Sequence, residues 1–347
     1  MKIALINPPI LGHDSRGTGV YAKNLATELE KQVDLKVDVC DYNFLPLDVD
    51  LYHFPYFDPF FLTLPPARRK KTVVTIHDLI PLRFPQYFPR GIKGEFKWQF
   101  QKRALKTVDA IITDSQASLE DIVALVSVER TKVHPIYLAP SKNFYEKKSK
   151  EFKEKIHEKY KLPAEYVLYV GDLNWNKNVP HIIKAITLIR VPLVIISKSF
   201  VIKHEGTYHP WKESLLEAQK LASQNPLVRS IGYINTDELA AIYQMSRALV
   251  FPSYYEGFGL PVVEAFASGC PVVTTKRGSL AEIAGEAALF VDPDDIHDIA
   301  NAIKKLLSES QLRNTLIVWG KRQLKNFSWE KTCSETIKVY KSILSGF

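Results

Sequence analysis

Cysteine is scarce and scattered: Cys40, Cys270 and Cys333 are odd in number and far apart, which argues against a disulfide framework and a thiolate metal site. No apolar run approaches the roughly eighteen residues that span a bilayer. The first ten residues hold Asn7-Pro8-Pro9 and lack a small-residue cleavage site, so they read as a first strand and not as a signal peptide. A cytoplasmic protein is therefore expected. No nucleic-acid module signature accompanies the net charge of +8, so nucleic acid is not an expected partner. The basic balance leaves open an anionic small substrate, a polyanion or an anionic membrane face. With 46% apolar and 24% charged residues the chain is ordinary globular protein, and 347 residues favour about two domains.

What is present first is a succession of apolar, β-branched runs. Lys2 to Asn7, Leu35 to Val39, Leu51 to Phe54, Thr72 to Ile76 and Ala110 to Thr113 alternate with helical or loop stretches, the pattern of a parallel α/β sheet. A second series begins at Tyr166 to Val170 and continues through Pro192 to Ile196, Val228 to Ile231, Ala248 to Phe251, Pro271 to Thr274 and Ala288 to Val291. Ligands of such sheets sit at the carboxyl ends of strands, where His53, His77, Asp78 and Ser115 fall. Each is a site candidate by position; a strand-end His can equally make a structural hydrogen bond.

The most informative stretch runs from Phe251 to Thr275, strand, glycine-bearing loop, short helix and strand. Pro261 suits a first helical turn and Gly269 a helix end. Gly257 and Gly259 leave backbone amides bare at a helix N-terminus, a place suited to an anion. Glu256 in the loop and Glu264, expected in the first turn, offer acceptors to hydroxyls. A sugar diphosphate fits this set. Taken singly, the glycines are weak signals, and a first-turn Glu also serves as a dipole partner.

Glu256, seven residues and Glu264, with Gly257-Phe258-Gly259-Leu260-Pro261 between them, resemble the E-x7-E signature of retaining family-4 glycosyltransferases. The resemblance covers nearly the whole chain. It implies the GT-B fold, an α/β architecture of two doubly wound Rossmann-like domains facing each other across a cleft. It also implies a nucleotide sugar as donor, a glycan or lipid-linked acceptor, and neither cofactor nor metal. Asp48-Val49-Asp50 and Asp292-Pro293-Asp294 match a metal-binding pattern of another glycosyltransferase fold only formally. By resemblance Lys177 and the residue before it hold the diphosphate, but Asn176 stands where Arg is usual, and an amide lacks the charge and forked donors of a guanidinium. Lys198 or Arg16 are candidates to compensate. Gly17 and Gly19 resemble the family's first glycine loop, which approaches donor phosphate and acceptor; a tight turn without ligand is the alternative. Gly171 opens the loop before Lys177, and Tyr233 lies in a turn that resembles the base-contacting one. His77 is assigned to the sugar or acceptor, and His53, Asp78 and Ser115 to the acceptor. A catalytically weak binding scaffold and a nucleotide-sugar epimerase are the competing readings.

The expected division is an N-terminal acceptor domain over 1–145, a linker over 146–163, a donor domain over 164–328, and a final helix over 329–347 returning to the first domain. Helix caps are expected at Asn178 and Thr236. Between Phe84 and Lys106, aromatic residues interleave with Lys and Arg, and Arg68 to Lys71 lies just upstream. This reads either as a surface for an anionic membrane, hence peripheral attachment, or as a solvated basic helix with its aromatic stripe in the core.

Overall fold

Strands covered on both faces read as unbroken Val, Ile and Leu runs, and these residues build two parallel six-stranded sheets. The computed structural model describes residues 1–8, 17–201 and 209–345. The chain divides into two compact units, Met1–Ala139 with Phe327–Phe347, and Pro140–Asn326.

In the first unit β1 (Lys2–Asn7), β2 (Lys36–Asp41), β3 (Leu51–Phe54), β4 (Lys71–Thr75), β5 (Ala110–Thr113) and β6 (Val133–Pro135) take the order β2-β1-β3-β4-β5-β6. The order reverses between β1 and β3, the kind of point at which such sheets open a crevice. Strand β6 was missed in the sequence; it has three residues, ends in proline and lies at the sheet edge, where a lost N–H is tolerated. The helix Gly17–Glu30 packs beside the final helix Trp329–Ser345, whose Thr332 hydroxyl donates to the Tyr137 carbonyl at 2.6 Å. Gly17 and Gly19 are thus first-turn helical residues and not loop. The rest of the expected glycine loop, with Arg16, lies outside the described residues.

In the second unit β7 (Val167–Val170), β8 (Leu193–Ile196), β9 (Val228–Ile231), β10 (Ala248–Phe251), β11 (Val272–Thr274) and β12 (Ala288–Phe290) take the order β12-β11-β10-β7-β8-β9. Here the reversal falls between β7 and β10. Part of the stretch expected as linker is the helix Lys150–Tyr160, begun by the Ser149 hydroxyl and packed on the helix Thr236–Met245, with Lys159 and Tyr160 bonded to Glu238. The cap of Thr236–Met245 is Asn235, one residue before the expected Thr236, its side chain accepting from the Glu238 N–H at 2.9 Å. Among the described residues, no helix is long and apolar enough to cross a membrane.

Candidate functional site

The loops that leave β7 and β10 lie side by side at the second sheet's reversal point. They are joined along their length. The Tyr254 N–H donates to the Asn176 carbonyl at 2.7 Å, and the Asn176 side-chain amide donates to the Tyr255 carbonyl at 2.9 Å. The Trp175 ring stacks on Tyr254, centroids 4.9 Å apart and planes within 10°. The Lys177 ammonium then reaches both carboxylate oxygens of Glu256, at 2.8 and 2.7 Å, while sitting 5.5 Å above the Phe251 ring. Asn178 occupies the N-cap position of the helix Val179–Ile189 but does not cap it with its side chain. Its amide instead donates to the carbonyls of Pro252 and Pro293, at 3.2 and 2.8 Å, and its backbone is left-handed.

A third loop, after β11, supports this pair from below. The Ser279 hydroxyl hydrogen-bonds the carbonyls of both Glu256 and Phe258, at 3.0 and 2.8 Å, and the Thr275 hydroxyl donates to the Ser253 carbonyl at 2.8 Å. Gly278 is required between them: its φ is +59°, and a Cβ there would stand 2.7 Å from the Glu256 carbonyl oxygen. Gly278 and Thr275 support these loops in roles that the sequence did not suggest, and Asn178, expected as a helix cap, ties the loops together instead. A βα loop ending in Gly-Ser before a helix was the available signal.

Gly259, left-handed at φ 98°, begins the helix Leu260–Ser268, with Pro261 in the first turn and Gly269 ending it at φ 70°. Glu264 is the fifth helical residue, past the first turn in which it was expected, so pairing with the helix dipole is not its role. It is half-buried and accepts from the Tyr243 hydroxyl at 3.1 Å. Burial pushes its carboxyl up to about 8, against the lowering effect of that hydrogen bond. Phe258 is buried, so its side chain belongs to the core, whereas Tyr233 is exposed in the turn after β9. Gly171 leads out of β7, and Gly257 is buried beside Glu256.

In the first unit, His77 stands two residues beyond β4. Its Nδ1 is 2.7 Å from the buried Asp114 carboxylate and its Nε2 3.2 Å from the Pro55 carbonyl, with the Tyr21 ring edge-on at 4.9 Å. Burial is the largest influence and opposes charge on this imidazole, but the Asp114 carboxylate, with smaller help from Asp78 and the Pro55 carbonyl, raises the pKa overall. Among the described residues, the second Asp114 carboxylate oxygen has no hydrogen-bond partner. Asp78 accepts from the Ile80 N–H at 3.0 Å and is half-buried.

Two residues expected at the acceptor, His53 and Ser115, are held within the fold. His53 is fully buried inside β3, its ring nitrogens bonded to the hydroxyls of Tyr340 at 2.6 Å and Thr75 at 2.8 Å; burial lowers its pKa to about 3 and keeps it neutral. Ser115 is buried as the N-cap of the helix Gln116–Val126, accepting from the Ser118 N–H at 3.0 Å. Both side chains are buried and engaged by the fold. Asn176 is likewise buried, its side-chain amide donating to the Tyr255 carbonyl. Asp48 and Asp50, the first formal metal pattern, hold the side chain and the backbone N–H of Lys2.

Comparison with known proteins matches residues 150–323 to Glycosyl transferases group 1 and residues 41–139 to Glycosyltransferase Family 4. The O-antigen chain mannosyltransferase B of Escherichia coli is 29% identical over 84% of this chain and 74% of its own length. The serotype-specific mannosyltransferase WbdA of Escherichia coli is 28% identical over 80% of this chain, and the match spans 34% of that longer protein. The solved structure of Anabaena HepE in complex with UDP-glucose shares the fold, with a TM-score of 0.75 at 16% identity over 99% of this chain and all of that one.

Proposed function

The chain belongs to the glycosyl transferases group 1 family and has the two-domain GT-B fold, and from that premise we propose a retaining transfer of a sugar from a nucleoside diphosphate to a hydroxyl of a glycan or lipid-linked acceptor. The mannosyltransferase relatives make GDP-mannose the first donor to test, and the UDP-glucose complex of HepE makes UDP-glucose the second. The observation that carries the reading is the Lys177–Glu256 pair at the reversal point of the second sheet.

Breaking the donor bond leaves positive charge on the sugar and negative charge on the diphosphate, so donors placed beforehand at the phosphates help more than a strong nucleophile. Lys177 is such a donor. Its ammonium has three N–H groups, two of them on Glu256, and a diphosphate competes for them with greater charge. Glu256, once displaced, accepts from sugar hydroxyls. Glu264 accepts from the ribose, Tyr233 meets the base by its backbone turn, and amides at Gly257 and Gly259 approach the phosphates. Gly17, Gly19 and Gly171 let backbone come near the donor. His77, oriented by Asp114, positions the sugar or acceptor, with Asp78 beside it. This scheme uses no metal.

Thermal unfolding with UDP, GDP, ADP and dTDP tests the reading, because a nucleotide at a hundred times its Kd adds about 2.7 kcal/mol of stability. A rise with one nucleotide, followed by transfer of its sugar to an acceptor, is the expected result. No rise with any of them, with acceptor extract present or absent, overturns it.

A further inference from the structure

The helix Gly91–Lys106 has two apolar faces, and only one of them is used. Gly94, Trp98, Gln101, Ala104 and Leu105 are buried in the first unit. With about 100° per residue, Ile92 and Phe96 point within roughly 20° of the opposite direction. They are 79% and 75% exposed. Phe100 on the same side is also exposed, as are Phe61 and Leu62 on the neighbouring loop, tied to the helix by the Lys97 ammonium 5.3 Å above the Phe61 ring. Between Ile92 and Phe96 the surface dips into an apolar depression of about 450 Å³ lined also by Gly91, Glu95 and Gln99. The aromatic stripe of this segment is therefore split: Phe88 and Trp98 enter the core, and the others do not.

Charge selects what covers the outer face. The helix carries Lys93, Lys97, Lys102, Arg103 and Lys106 against Glu95 alone, and Glu95 is held by Arg90. Lys93, Lys97, Arg103 and Lys106 are exposed and, among the described residues, form no ion pair. Lys102 is spent inward on the Leu125 carbonyl, and of the upstream basic run Arg68 is bound to the Pro65 and Ala104 carbonyls and Lys71 to Asp109. A second copy of the same face would set these cations against each other. A bilayer with anionic headgroups meets both requirements, since phosphates take the ammonium groups while the rings and Ile92 enter the headgroup and acyl boundary. Long Lys and Arg stems allow this by lying along apolar surface with their charges at the headgroups.

We propose that the outer face of the Gly91–Lys106 helix, with Phe61 and Leu62, is a docking surface for an anionic lipid bilayer. None of these residues is among those assigned to the donor, so the proposal stands or falls apart from the transfer reaction.

The test is co-sedimentation of the full chain with phosphatidylcholine vesicles, with and without an equal part of phosphatidylglycerol. Wild type is expected to pellet only with the anionic vesicles, less as salt rises. Ile92→Ser with Phe96→Ser lowers vesicle affinity at least about ten-fold through lost apolar burial. Lys93→Glu with Lys97→Glu lowers it at least about 25-fold, from about five-fold per cation. All four side chains are exposed, so both variants keep the wild-type Tm. Absence of pelleting, equal pelleting with neutral vesicles, or variants that bind like wild type each overturn the proposal. So does a wild-type dimer in sedimentation velocity that Phe96→Ser dissolves, which would assign the face to a second copy.

Discussion

At neutral pH Glu264 is expected to hold a proton. Burial moves its carboxyl from 4.5 to about 8, with the Tyr243 hydroxyl pulling the other way. Between those values the folded chain keeps a proton that the unfolded chain releases, so the contribution to stability is complete below the lower value and is lost as pH rises to the upper one. At about 1.4 kcal/mol for each pH unit, the loss across the window approaches roughly 5 kcal/mol, comparable with the whole stability of a weak domain. Glu264→Gln keeps the shape and an acceptor for Tyr243 but cannot ionise. Urea unfolding of the two proteins from about pH 4 to 9 isolates this group, because every other titration is common to both. The curves should run together at the acid end and separate upward, the wild type losing stability relative to the variant. Parallel curves would refute the burial argument. A second readout separates burial from ligand binding: ribose hydroxyls bond a carboxylate better than a neutral acid, so nucleotide binding at pH 7 should release a proton. Calorimetry in two buffers of different ionisation enthalpy measures that proton, and its absence would remove Glu264 from the ribose.

Lys177→Met strands the Glu256 carboxylate, whose side chain is 7% exposed, and should cost roughly 3 kcal/mol in urea unfolding. Adding Glu256→Gln should restore most of that stability while nucleotide-induced Tm shifts stay lost. Asp114→Asn removes the group that raises the His77 pKa against burial, so an NMR titration should show it fall. The wild-type contribution is present below about 6.5 and lost as pH rises through the folded value, so the variant should lose its stability on the acid side. Gly278→Ala should cost at least about 2 kcal/mol, from a left-handed backbone and a Cβ 2.7 Å from the Glu256 carbonyl oxygen, and should weaken donor binding with it. Asn176→Arg, which restores the family's usual residue, should lower Tm and leave donor affinity no better, since the amide it replaces is buried and bonded to Tyr255.

The sheets were legible because strands buried on both faces leave long β-branched runs, and β6 was not because three residues ending in proline leave almost none. The strand, loop and helix that carry Glu256, Gly259 and Glu264 were legible because they form one βα unit, where spacing along the chain is spacing in the fold. The partnership of Asn176 with Tyr255 was not, because 79 residues separate them and only the order of the strands brings their loops together. His53 and Ser115 show why position at a strand's carboxyl end is too coarse a sign. His53 lies within the β3 ladder and is claimed by the core, through a Tyr340 hydroxyl 287 residues away in sequence. Ser115 lies beyond its strand but is claimed by the helix it caps. His77, Lys177 and Glu256 also lie past the last ladder residue of their strands, and none of them caps a helix with its side chain. They are the ones whose ionisable groups face other ionisable groups, Asp114 for His77 and each other for the remaining two. A polar residue at the end of a parallel strand is thus available for chemistry when it is past the ladder and is not itself the cap of the following helix; here Asn178 and Gly259 hold those N-cap positions.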